Sequence, residues 1–357
     1  MKRLIALGAI FVWMCSADAA IVQLDYSFDA ANGDFFGTNP TAKAAVDAAA
    51  QDIGNAISSS LAAIPTDVFS ATNGSTTATF NWNLSVTNPS TGTAVTQNTF
   101  NSPVNLITVY VGMRPLTGVT LGVGGPAGAG FSIGTSGFAS ELVGAVTAAQ
   151  NASNAVMPRG AGPVMGTLSG STTLGATTAN YSLSYGAIRG SLSFDSDSDN
   201  NGATDTPALL ATYWHYDHTT AVASGKNDLY SVALHEILHS IGLGTSNTWT
   251  SLHSGTTWTG ANVIALTGTG VNMISADGAH IADSAMSTRI SDGGVQEAVM
   301  DPSLTQGTRK SLTQLDLAFL RDLNFTTVPE PSAVMLALCA GLMLVMARRR
   351  DPAAAFA

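Results

Sequence analysis

The stretch Ser231-Val232-Ala233-Leu234-His235-Glu236-Ile237-Leu238-His239-Ser240-Ile241 sets two imidazoles and a carboxylate inside an otherwise apolar run. Burying such groups without partners costs several kcal/mol, so any fold that accepts this run must give the polar trio something to bind. On a helix, positions i and i+4 share one face about 5–6 Å apart. His235 and His239 can therefore hold one metal ion, zinc by the chemistry of paired imidazoles, with Glu236 beside them as the candidate general base. The spacing predicts a helix over 230–243.

Around that helix the 357 residues, 45% of them hydrophobic, suffice for a substantial core. Ile21 to Phe36 reads as a strand and a Gly/Asp/Asn-rich loop. Thr41–Ala63 reads as an alanine-rich helix with Thr41 as N-cap and Pro65 past its end, its apolar Ala45, Ile53, Ile57, Leu61 and Ile64 at helical spacing. Ala78–Val86 alternates as a strand, and the β-branched run Val104–Val111 fits a central strand. A short helix is expected near Ser140–Ala152, one or two strands over Tyr181–Phe194, and a closing amphipathic helix over Ser311–Leu323. The rest of Gly118–Gly175, crowded with Gly, Ser, Thr and Ala, yields no assignment. No internal repeat or linker interrupts this stretch, so one α+β unit over 20–326 is expected.

Both ends differ in kind. Lys2 and Arg3, the apolar run Leu4–Cys15 and the small-x-small site Ala17-Asp18-Ala19 predict a signal peptide over 1–19 that signal peptidase removes. At the other end stand Val328-Pro329-Glu330-Pro331-Ser332, the apolar Ala333–Ala347 and then Arg348-Arg349-Arg350. Fifteen residues of helix reach about 22 Å, short of the ~30 Å hydrocarbon layer. In this order the segment 327–357 resembles the PEP-CTERM sorting signal. The resemblance implies export to the cell surface or extracellular matrix of a Gram-negative bacterium, transient membrane association through the tail as a short transmembrane helix, and removal by an exosortase; a plain tail anchor is the alternative. Cys15 and Cys339, the only cysteines, fall in these ends, which excludes disulfides and thiolate metal sites from the middle. Five of the 14 basic and three of the 24 acidic residues also lie there, leaving 9 against 21 and excluding a nucleic-acid partner.

Gly242 extends the central motif to His-Glu-x-x-His-x-x-Gly, which resembles the start of the metzincin signature. The glycine allows the helix to stop in a left-handed turn. That signature places a third histidine at 245, where this chain has Thr245. Further along, Gln296-Glu297-Ala298-Val299-Met300-Asp301-Pro302 looks like the Met-turn of that family, around Met300, and a delayed third histidine before a Met-turn is the leishmanolysin-like arrangement. The resemblance implies His280 as third ligand, with His253 the alternative and the 40 residues between His239 and His280 an insertion over the site. Asp34-Phe35-Phe36-Gly37, the 231–235 and 296–302 segments and Thr313-Gln314-Leu315-Asp316-Leu317-Ala318 are also similar to exported metalloproteases with PEP-CTERM tails. Over about Asp25–Phe325 this implies a zincin-like α+β fold with a twisted mixed sheet, an active-site helix and a C-terminal helix. It further implies zinc on His235, His239 and His280, Glu236 as catalytic base, and endopeptidase action on protein or peptide substrates. The alternatives are a non-catalytic surface or matrix protein braced by zinc, and a zinc hydrolase of other bonds. For Met300 the alternative is a core methionine.

Two lesser signals remain. Asp197-x-Asp199-x-Asn201-Gly202, followed by Asp205, matches the first half of a calcium loop, while Ala208 at position twelve excludes a full EF-hand. Calcium on Asp197, Asp199, Asn201 and Asp205 is one reading and a solvated turn the other. Tyr213-Trp214-His215-Tyr216-Asp217-His218 alternates like an edge strand that could pair with extended peptide or pack under the helix, with His215 or His218 as a further zinc ligand the remote option.

Overall fold

The computed structural model describes residues 20–328. Its organising element is the strand Leu106–Arg114, which has a neighbour on each side. Ile21–Asp25 and Arg189–Asp195 both run parallel to it, and Gly122–Pro126 pairs antiparallel with Arg189–Asp195 at the sheet edge. Ile107, Val109, Val111 and Met113 join one core, while Tyr110 points into another. That alternation explains why the run is mostly apolar despite Thr108: a central strand with both faces covered has no solvent side. Helices Pro40–Ala56 and Leu229–Ser240 pack on each other, the first against Ile21–Asp25 and the second against the edge strand. The buried Ala42, Ala45, Val46, Ala49 and Ile53 let the first helix approach closely.

Beyond the second face lies an antiparallel layer. Thr76–Thr87 pairs with Val68–Asn73, Ala94–Gln97 and Gly128–Ser136, and a hairpin joins Gly166–Leu174 to Thr177–Tyr185. Helix Leu142–Asn154 packs on both sheets, with Trp82, Phe80, Leu142, Val146 and Leu183 as their shared core. Arg159, wholly buried with no carboxylate partner, donates to the carbonyls of Ala62, Pro103, Leu106 and Ala187 and ties the two layers together. Burial pulls its guanidinium down to about 10.

The mixed sheet, site helix and closing helix Gln314–Asp322 make this an α+β structure, as expected. Two expectations need correction. The first long helix spans Pro40–Ala56 rather than Thr41–Ala63, capped by Asn39 with proline at its first position. Ile57 turns extended and bridges Thr327, so Ile57, Leu61 and Ile64 are buried from non-helical chain despite their helical spacing. Tyr213–His218 is not an edge strand. Thr206 caps a helix over Pro207–Tyr213, and only Trp214–His215 pairs, parallel to Asn227–Asp228. The region 181–194 resolves into two strands, and the unassigned 118–175 holds three, their alternation masked by glycine and threonine. Among the described residues no helix is long and apolar enough to cross a membrane. The expected signal peptide, Ala333–Ala347, Cys15 and Cys339 lie outside the described residues.

Candidate metal centre

Helix Leu229–Ser240 starts at Asp228, whose carboxylate accepts from the Ser231 amide at 3.2 Å and its hydroxyl at 2.7 Å. Its apolar side sinks into the core, and the opposite side carries His235, Glu236 and His239. The His239 Nε2 atom lies 3.1 Å from Nε2 of His235 and 3.2 Å from Nε2 of His280. Each ring turns its other nitrogen to an oxygen acceptor: His235 Nδ1 to Val299 O at 2.8 Å, His239 Nδ1 to Leu243 O at 2.8 Å, His280 Nδ1 to Asp277 Oδ2 at 2.6 Å. The hydrogens therefore sit on Nδ1, and three Nε2 lone pairs converge on one point. Lone pairs so close repel unless a cation lies between them. Two nitrogens of a tetrahedral zinc at ~2.0–2.1 Å stand about 3.3 Å apart, so the triad fits that ion. Second ring nitrogens held by a carboxylate or carbonyl are what orients imidazole ligands. Burial and the neighbouring imidazoles hold His235 well below the usual histidine range; burial first, then the charge of His280, brings His239 down to about 4.

The third ring arrives from the insertion. The chain leaves the helix through Gly242 and Gly244, both at positive φ (+121° and +73°), and a side chain at Gly244 would run into the Ala279 carbonyl. The insertion is anchored by Trp249, Trp258 and Phe319, with ring centroids 4.7 Å apart for Trp249–Trp258 and for Trp258–Phe319. Trp249 Nε1 donates to Gly278 O at 2.8 Å, which fixes the loop carrying His280. Burial tends to raise the Asp277 carboxyl, but hydrogen bonds from Ser275, Ala279 and His280 hold it at about 2. His253 instead faces Gly255 O in the hairpin His253–Trp258, and His215 and His218 also stay outside the triad.

Beneath the triad, the Asp301 amide returns to Ala298 O, closing a turn that contains the fully buried Met300. The turn is tied on three sides: Val299 O takes His235, Met300 O takes the Ile281 amide at 2.9 Å, and the Asp316 carboxylate accepts from the Val299 and Met300 amides. Asp316 is also the reciprocal partner in the capping box of the closing helix.

Glu236 faces a cavity of about 710 Å³ lined also by His235, His280, Leu121, Gly122 and Val299. Burial pushes its carboxyl up to about 8, against the Gly124 amide, which lowers it. The edge strand runs so close to the helix that a Cβ at Gly124 would collide with the Glu236 backbone. Its far edge has no strand partner among the described residues. Asp197, Asp199 and Asp205 bring carboxylate oxygens within 4.8 Å of one another. Asn201 does not turn its side-chain oxygen to them; that oxygen accepts from the Ala203 amide, while Asp197 is engaged by the Asn201 and Gly202 amides.

The roles of Asp277, the Val299 carbonyl, Asp316 and the glycine edge strand are not evident from the sequence alone, although Asp277 stands three residues before His280 and Asp316 three after Thr313, the spacing of a capping box.

The model of the PEP-CTERM protein-sorting motif matches residues 327–350, a span that includes Pro329-Glu330-Pro331 and Arg348-Arg349-Arg350. The motif indicates an exported, cell-surface-directed protein of a Gram-negative bacterium, processed by exosortase. Comparison with curated proteins and with solved structures finds no match.

Proposed function

We propose that the chain is an exported zinc-dependent endopeptidase. The observation that carries this reading is the convergence of three Nε2 atoms beside a buried carboxylate at the wall of an open cavity. A merely structural zinc is enclosed by its ligands and has no use for a base, whereas a catalytic site keeps a position open. His235, His239 and His280 would hold the ion, which when bound supplies a Lewis acid and lowers the pKa of water. Glu236, at the cavity wall beside His235, takes a proton from the attacking water and returns it to the leaving amine. The far edge of Gly122–Pro126, without a strand partner among the described residues, offers backbone groups to an extended peptide beside Glu236. A mixed sheet over such a helix and a turn with a buried Met300 are what the zincin-like reading requires.

Hydrolysis of casein or gelatin by the mature protein, by Glu236→Gln and by a chelated sample tests the proposal. Activity should appear only in the zinc-loaded wild type. Equal activity in Glu236→Gln would refute the role of Glu236 as base, and no hydrolysis by zinc-loaded wild type would refute the endopeptidase reading and favour a zinc-braced surface protein.

A further inference from the structure

The cavity extends past the histidines. It follows the site helix from Glu236 and His235 by way of Ser231 to Asn227, just before the helix begins. Asn227 is only 3% exposed, its backbone is paired with Trp214, and its side-chain amide nitrogen has no hydrogen-bond partner among the described residues. Buried donors without partners are rare in native proteins, and one lining a cavity beside a candidate active site calls for an acceptor that arrives from outside.

Neighbouring polar groups are already committed. Ser231 Oγ bonds Asp228 at 2.7 Å, and Lys310 Nζ bonds Ser303 O at 2.6 Å while pairing with Glu297 at 3.1 Å and Asp301 at 3.4 Å. The charged groups lining the cavity are thus one ammonium, Lys310, against two carboxylates, Asp301 and Glu236. A carboxylate entering here meets net negative charge, and an apolar chain leaves Asn227 unpaired. A neutral acceptor satisfies both conditions. Asn227 lies two residues before helix Leu229–Ser240, and from Leu229 to His235 that helix rises about 9 Å at ~1.5 Å per residue, so only a long side chain extending from a residue bound near the triad reaches it.

We propose that this end of the cavity is a specificity subsite for a substrate glutamine, whose side-chain oxygen accepts from the Asn227 amide. The proposal rests on the endopeptidase reading and adds the substrate class to it. Methionine matches glutamine in length without the acceptor, so paired peptides with glutamine or methionine at one position next to the scissile bond isolate the contact. Wild type should favour glutamine by about tenfold or more in kcat/KM, because a site built to hydrogen-bond rejects an analogue lacking the group. Asn227→Leu, nearly isosteric, should bring the ratio close to one. Asn227→Ser, which shortens the donor, should do the same should the leucine variant fold poorly. Binding of the same peptides to zinc-loaded Glu236→Gln, read by fluorescence anisotropy, separates the two claims. Tighter binding of the glutamine peptide upholds the subsite even if wild type cleaves nothing. Cleavage and binding without glutamine preference, or a preference unchanged in both Asn227 variants, overturns the subsite and leaves the endopeptidase reading in place. A wild type that neither binds nor cleaves overturns both.

Discussion

Removing the Asp316 carboxylate should loosen the metal centre from behind, at a distance from every ligand. Asp316 is wholly buried and accepts from Val299 N at 3.0 Å, Met300 N at 3.4 Å, Thr313 N at 2.9 Å and Thr313 Oγ1 at 2.7 Å. In Asp316→Ala three buried backbone amides lose their acceptor, each worth about 1–3 kcal/mol. Relief of the carboxylate's own burial, which pushes its pKa up, offsets part of this. A net loss of about 3–4 kcal/mol follows. At ~2.1 cal/mol/K of unfolding entropy per residue, over residues 20–328, this lowers Tm by about 5 °C. The same turn presents Val299 O to His235 Nδ1, so zinc affinity should fall about 10–100-fold, the usual effect of losing a group that orients a ligand. Differential scanning fluorimetry gives the first quantity and competition with a chromophoric chelator the second. A lower Tm with unchanged zinc Kd would show that the turn does not position His235. An unchanged Tm would refute the hydrogen-bond account of the turn itself.

Asp277→Asn leaves His280 in place but weakens the partner of its Nδ1, and should cost about tenfold in zinc affinity with little change in the Tm of the zinc-free protein. Arg159→Lys should destabilise by about 3 kcal/mol in denaturant titration, because one ammonium cannot reach four carbonyls spread around a planar fork. A loss below about 0.5 kcal/mol would show that those bonds hold little. The depressed His235 and His239 compete weakly for protons. Zinc retention should therefore persist as pH falls through the ordinary imidazole value of ~6.5, with release well below it by equilibrium dialysis; release centred at ~6.5 or above would contradict this.

The helix Leu229–Ser240 was legible because its signal is local: spacing i and i+4 within an apolar run suffices to place His235 and His239 on one face, with Glu236 next to His235. The central strand, expected over 104–111 and found over 106–114, was legible for the same reason, a near-continuous β-branched run. His280 was reachable only through resemblance, since what delivers it is a 40-residue excursion anchored by Trp249, Trp258 and Phe319, contacts that no spacing encodes. Helical spacing misled at Ile57 and Leu61, where pairing with Thr327 and with Asn105, respectively, overrides it. The edge strand Gly122–Pro126 was hidden by its glycines, which are needed for its approach to the Glu236 backbone and remove the side-chain alternation that marks strands.

The metal content of the purified mature protein, measured by inductively coupled plasma mass spectrometry beside His280→Ala and His253→Ala, tests the centre most directly. One zinc per chain in wild type and in His253→Ala, and none in His280→Ala, is the predicted result. A wild type without zinc after zinc loading, or a His253→Ala variant that loses it while His280→Ala keeps it, would contradict the account.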